Sequence, residues 1–269
     1  MVTKIIAIGC SFTFGNELSD DDGINPSKMS WAALLSQQTG MDFVNSAKGG
    51  LGNSGIARRV FNAVSDNDNR KVAVTVMWTF PSRYDWAMPR HNILEDTRWA
   101  TITPWDCTEN EAEVLKTLIG NDSVIRDFKK RRKEFSDAKV TAFADSLYKN
   151  AANRYHETYL SWKSIVWLQN ILEKKKIPFM FTLADNTLFW EEFELLYQND
   201  KLLKNLLKEI DFTKWFTFGD RHMGFNQWAL LNDYPRASTH PLDQAHKDAI
   251  MLMLPEFKKI IGEKNDQMD

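Results

Sequence analysis

Short unbroken apolar runs alternate along this chain with stretches of helical spacing. The run at 5–8 (IIAI) is rich in β-branched residues and is stopped by Gly9. A strand covered on both faces loses its apolar–polar alternation, so this run predicts a buried strand. A second short strand is expected at 41–45 (MDFVN), the apolar signature recurs at 71–78 (KVAVTVMW), and further strands are expected at 177–183 (IPFMFTL) and 212–218. Helical spacing predicts helices at 30–39, with Ser30 as N-cap and Gly40 as stop, and at 55–64, 186–209 and 242–261. The opening order of strand, helix, strand, helix, strand predicts a parallel sheet with right-handed crossovers.

Residues 85–108 break this rhythm. They carry Trp86, Trp99 and Trp105 with Pro89 and Pro104 and show no period. They read as an irregular excursion beside the sheet edge. Helical patterns follow at 109–118, at 123–135 and over 137–176, the last as one helix or two. Residues 85–155 are therefore taken as a helical, Trp-rich cap inserted into a single domain spanning 1–269. The basic run 129–133 is flanked by Asp127 and Glu134 and reads as a solvated helix face. The acidic triplet 20–22 lacks the spacing of a calcium loop and reads as a surface loop.

Composition narrows the function classes. In 269 residues, 43% hydrophobic and 26% charged, there is enough apolar material for a real core. A formal net charge of -2 argues against a general nucleic-acid or anionic-membrane binder. Cys10 and Cys107 are the two cysteines, which gives neither a disulfide framework nor a metal knuckle. No secretory signal pattern is present, and no apolar run approaches the ~20 residues of a membrane span. A cytoplasmic protein is expected, with no nucleic-acid and no membrane partner.

Candidate chemistry gathers at the strand exits. Ser11 follows the first strand at once, where open α/β sheets place their ligands. It reads either as a nucleophile or as a residue that caps its turn. The glycine-rich loop 46–54 (SAKGGLGNS) follows the second strand, in a place suited to backbone N–H donors. It has neither the GK[ST] ending of a phosphate loop nor the dinucleotide spacing, so no cofactor is called for. The loop 79–83 follows the third strand. Its Arg83 reads either as a ligand for an anionic part of a substrate or as a salt-bridge partner. A serine nucleophile needs a base. Of five histidines, His240 enters the last helix from a loop, followed by Pro241. His156 and His246 lie inside helical patterns and read as structural, while His91 and His222 lie in loops and stay open. No tight spacing supports a metal site.

Three blocks in this order resemble the SGNH (GDSL-like) hydrolases: Gly9-Cys10-Ser11-Phe12-Thr13-Phe14-Gly15, Asn45-Ser46-Ala47-Lys48-Gly49-Gly50 and His240-Pro241. The resemblance implies a three-layer α/β/α sandwich around a parallel sheet of about five strands. It implies Ser11 as nucleophile, His240 as base and Gly50 as an oxyanion donor. It also points to bacterial or phage proteins. The chain departs from the pattern twice. The family's Gly-x-Asn-Asp block is replaced by Trp78-Thr79-Phe80-Pro81, so Thr79 or Asn53 is the expected substitute donor. The acid three residues before the histidine is replaced by Ala237. The orienting group is then Asp233, Asp243 or a backbone carbonyl, or the site is a Ser–His dyad. The expected function is hydrolysis of a small-molecule or carbohydrate ester, without a cofactor. The competing expectation is a non-catalytic protein on the same fold that binds a glycan or a protein partner.

Overall fold

The computed structural model describes residues 2–65, 71–89, 99–118, 122–189 and 200–262. Strand β1 (Lys4–Ile8) leads into a four-residue helix, α1 (Ser11–Phe14). Helix α2 (Trp31–Thr39), strand β2 (Asp42–Asn45), helix α3 (Asn53–Ser65) and strand β3 (Val72–Trp78) follow. Next come an antiparallel pair, β4 (Tyr84–Ala87) and β5 (Trp99–Ile102), and helices α4 (Glu111–Thr117), α5 (Asp122–Asp137) and α6 (Val140–Asn150). Helix α7 (Arg154–Lys174) returns to the sheet and precedes β6 (Phe179–Leu183). Helices α8 (Lys201–Lys208), α9 (Phe225–Leu231) and α10 (Asp243–Ile261) complete the described chain.

The main sheet has four parallel strands in the order β2-β1-β3-β6. Ile5 pairs with Phe43, Ile8 with Val76 and Val76 with Phe181. This register brings the carboxyl ends of neighbouring strands out at one edge. Side-chain alternation along each strand explains the layers. Ile6, Ile8, Val74, Val76, Trp78, Phe179 and Phe181 pack in one core with residues of α3, α7 and α8. Ile5, Ala7, Ala73, Met77 and Met180 face the other way, onto α2, α9 and α10. Both faces of β1, β3 and β6 are covered, which is why these strands read as nearly continuous apolar runs, whereas the edge strand β2 (DFVN) stays half-exposed. The fold is a three-layer α/β/α sandwich.

Three sequence expectations are corrected. Residues 212–218 form no fifth strand. Asp211 Oδ1 accepts from Thr213 N at 2.9 Å and folds Phe212–Lys214 into a 3₁₀ turn, and Trp215 alone bridges to Phe181. A side chain that bonds its own backbone competes with the ladder in this way. Residues 85–108 are not wholly irregular, because β4 and β5 pair there, Tyr84 with Ile102. The basic run is not simply solvated either. The Arg131 guanidinium grips the buried Asp106 carboxylate in a fork, at 3.0 and 2.9 Å, and Arg132 reaches Glu111 at 2.9 Å. Lys129, Lys130 and Lys133 stay exposed.

The stretch 137–176 divides into α6 and α7, and Asn153 caps α7 by accepting from His156 N at 2.9 Å. Of the helix expected at 186–209, residues 190–199 lie outside the described residues. Tyr84, Ile102, Cys107, Phe135, Val140 and Ala144 form a small core of their own under the segment from β4 to α6. Among the described residues, no helix is long and apolar enough to cross a membrane.

Candidate active site

Gly9 turns the chain out of β1 and into α1. A Cβ there would lie 2.1 Å from Thr13 Oγ1 and 3.1 Å from the Met77 carbonyl oxygen, so only glycine fits. The turn leaves Ser11 at the start of α1, with 8% of its surface exposed. His240 comes from the other end of the chain, in the turn before α10. Ala237 N donates to the His240 carbonyl at 3.0 Å, and Leu242 N to that of Pro235 at 2.9 Å. Arg236 fastens the turn by donating to the Thr239 carbonyl and to Asn226 Oδ1, both at 2.9 Å. The Phe12 ring packs edge-on against the imidazole, with centroids 4.6 Å apart. His240 Nε2 lies 2.7 Å from Ser11 Oγ.

The other imidazole nitrogen meets a residue the sequence reading missed. His240 Nδ1 lies 2.7 Å from Oε2 of Glu17. The same oxygen accepts from Thr239 N at 2.9 Å, Thr239 Oγ1 at 2.9 Å and His240 N at 3.0 Å. Glu17 is reached through the acidic loop, which is a built turn and not merely a solvated one. Glu17 takes a left-handed backbone, with φ of 67°. Its N–H donates to Asp21 Oδ2 at 2.7 Å, while Asp20 accepts from Lys28 N at 2.8 Å and from the Ser27 hydroxyl. A carboxylate at Nδ1 fixes the tautomer: Nδ1 carries the proton, and Nε2 is left to accept from the serine hydroxyl.

Neither acid expected beside His240 is there. Asp233 is exposed. Asp243 accepts from Ser19 N at 3.0 Å and from the Ser19 hydroxyl, which ties the Glu17 loop to α10. Ala237 lies within the His240 turn and supplies no side-chain acceptor.

Burial pushes the Glu17 carboxyl up, but the hydrogen bond and electrostatic attraction of His240 and the hydrogen bonds from Thr239 outweigh it. The net value falls from 4.5 to about 2. A carboxyl lowered on folding stabilises the fold fully above its unfolded value, and that contribution is lost as pH falls through the folded value. We therefore expect the stability difference between wild type and Glu17→Gln to be largest above pH 4.5 and to shrink toward pH 2. Denaturant midpoints at several pH values would show it. A difference that does not change across this window would mean that Glu17 makes no such contacts.

The remaining candidates divide. Gly50 has φ of 75°, a conformation that suits glycine. Among the described residues neither its N–H nor that of Ser11 has a hydrogen-bond partner. Asn53 is fully occupied: its amide NH2 donates to the Thr79 carbonyl and to Ser161 Oγ, both at 3.0 Å, and its Oδ1 accepts from Thr79 N at 2.9 Å. Thr79 is wholly buried, and its hydroxyl accepts from Arg83 Nη1 at 3.1 Å. These two residues clamp the exit of β3 to the start of α3.

The other histidines play different parts. His246 is buried and accepts from Trp31 N at 3.0 Å. Burial, together with the nearby His240 ring, brings it down to about 3, so it stays neutral. His222 packs on Phe212 and Phe189, at 4.5 and 5.0 Å between centroids. His156 is exposed at the start of α7, and His91 lies outside the described residues. Among the described residues, no group of three or more His, Cys, Asp or Glu side chains is placed to hold a metal ion.

A serine, a histidine and a glutamate thus stand in line at the carboxyl edge of a parallel sheet, beside a glycine loop whose Gly50 N–H has no partner among the described residues. Several solved structures are similar to this chain. The psychrotrophic esterase EstA from Pseudoalteromonas sp. is 10% identical, with a TM-score of 0.47 over 97% of this chain and 100% of that one. A lipolytic protein of the G-D-S-L family from Veillonella parvula is 12% identical, with a TM-score of 0.44 over 97% of this chain and 99% of that one. A family two carbohydrate esterase from Clostridium thermocellum is 13% identical, with a TM-score of 0.44 over 96% of this chain and 64% of that one. No protein-family model and no curated protein matches the chain.

Proposed function

We propose that this chain is a serine ester hydrolase with a Ser11–His240–Glu17 triad. The observation that carries the reading is the unbroken line of two 2.7 Å contacts, Glu17 to His240 and His240 to Ser11. Ser11 Oγ attacks the acyl carbonyl while His240 Nε2 takes its proton. Glu17 holds the ring in place and stabilises the imidazolium that forms. His240 then gives the proton to the departing alcohol. A water deprotonated by His240 releases the acid from the acyl-enzyme.

The negative charge that develops on the carbonyl oxygen is met by the N–H groups of Ser11 and Gly50. Asn53 and Thr79 are left out of this hole, because the Asn53 amide is already engaged and Thr79 is wholly buried. A donor of the kind they were expected to supply is worth about 100- to 1000-fold in rate. The proposed hole does without it.

We take the segment from β4 to α6 as a cap beside the site. A Cβ built on Gly50 would meet Thr103 Cγ2 of this segment at 3.8 Å. Trp86, Trp99 and Trp105 on the segment stay partly exposed and offer apolar faces to a small-molecule or carbohydrate ester. The competing reading, a binding protein without catalysis, draws on the absent amide after β3. It no longer draws on the absent acid, because Glu17 occupies that place. Turnover of a short-chain nitrophenyl ester tests the proposal. Wild-type protein should hydrolyse it and Ser11→Ala should not, whereas an unchanged rate in the variant would remove Ser11 from the role.

A further inference from the structure

Arg83 differs from Arg58, Arg131 and Arg132, which are all paired with carboxylates. Arg58 is forked on Asp85 at 2.9 and 3.1 Å, Arg131 on Asp106, and Arg132 is paired with Glu111. Among the described residues no carboxylate pairs with Arg83. Asp85, the acid nearest to it in sequence, is taken by Arg58. Arg83 uses one N–H on Thr79 Oγ1, at 3.1 Å, and lays its guanidinium over the Phe80 ring at 4.7 Å. Among the described residues, the remaining donors of the fork meet no protein acceptor.

Its position is fixed. The backbone of Arg83 packs so closely on Gly52 that a Cβ there would meet the Arg83 carbonyl oxygen at 2.5 Å. Gly52 is two residues beyond Gly50, so the Arg83 backbone and Cβ lie against the glycine loop at the exit of β3. Lys48, exposed on the same loop, adds positive charge. A guanidinium fork matches the two oxygens of a carboxylate, and one already held by a hydroxyl and an aromatic face loses little further freedom on binding.

We propose that Arg83 is a substrate anchor and that the preferred substrates are esters carrying a carboxylate away from the scissile bond. This rests on the ester-hydrolase reading above. The carboxylate takes the free side of the guanidinium and brings the ester carbonyl to Ser11. Arg83 thereby sets specificity and takes no part in the bond changes.

The test uses two pairs of esters: phenyl acetate against 3-acetoxybenzoate, and 4-nitrophenyl butyrate against mono-4-nitrophenyl succinate. Arg83→Gln should lower kcat/KM for the anionic member of at least one pair by about 10- to 100-fold, mainly through KM. It should leave the neutral esters within about 3-fold, and Arg83→Lys should recover part of the loss. Equal losses on neutral and anionic esters, or no loss on either, would overturn the proposal. A binding arm separates it from the hydrolase reading. Titration calorimetry with Ser11→Ala, which cannot turn over, should show binding of the anionic ester that is at least about 10-fold weaker once Arg83→Gln is added. Equal or absent binding in both proteins would overturn the anchor, whatever the fate of the hydrolase reading. If wild type fails to turn over any ester while this binding difference stands, the hydrolase reading falls and the anchor survives.

Discussion

Replacing Glu17 by glutamine should lower kcat on any ester the protein turns over by about three to four orders of magnitude, with little change in KM. The size follows from the tautomer. Oε2 accepts the His240 Nδ1 proton at 2.7 Å. A glutamine fills the same space but can turn its NH2 toward Nδ1. The ring then carries its proton on Nε2, and Nε2 can no longer accept from Ser11. Thr239 also loses a charged acceptor for its N–H and hydroxyl, so the turn that presents His240 loosens. Asp233→Asn is the control. Asp233 is exposed, and the change should leave the rate within about 2-fold. A Glu17→Gln variant that folds and keeps more than a tenth of the wild-type rate would show that the carboxylate is not needed.

The second large effect is non-additive. Ser11→Ala and His240→Ala should each lower kcat by about 10⁴- to 10⁶-fold, and the double variant should be no worse than either alone. The two side chains form one device. Without the hydroxyl, the imidazole has no proton to take. Without the imidazole, the hydroxyl is a weak nucleophile. Initial rates of the three variants at matched concentration close the cycle. Losses that multiply in the double variant would mean that the two residues act independently, against the contact at 2.7 Å.

Much of this arrangement could be read from the chain because local patterns encode it. Strands β1, β3 and β6 are apolar runs with sharp ends, and covering both faces is what makes them continuous. Ser11 and Gly50 were legible as strand exits with glycine nearby. His240 was legible from its place before the last helix. Glu17 was not. It lies six residues after Ser11 in a polar loop, and it meets a histidine 223 positions away. Its aim depends on a left-handed backbone that no side-chain pattern announces. The residues beside His240 supply no acid to its ring, and the partner comes from the nucleophile's own loop. The available signal was a carboxylate two residues past Gly15 in a segment with several side chains to fold it.

Residues 212–218 failed for a different reason. The apolar pattern suits a strand, but Asp211 offers Thr213 a local hydrogen bond that wins over the ladder. Asn53 and Thr79 were expected at the reaction centre because polar residues at strand exits suggest ligands. Their partners turned out to be each other, with Ser161 and Arg83 completing the set.

Reaction with a fluorophosphonate tests the central claim most directly, because the reagent forms a covalent bond with a serine only when that serine is activated. Intact mass and peptide mapping should show one adduct on wild-type protein, at Ser11. Ser11→Ala should carry none, and His240→Ala and Glu17→Gln should react far more slowly than wild type. Wild-type protein that stays unlabelled at saturating reagent, or a Ser11→Ala variant labelled as readily as wild type, would contradict the account.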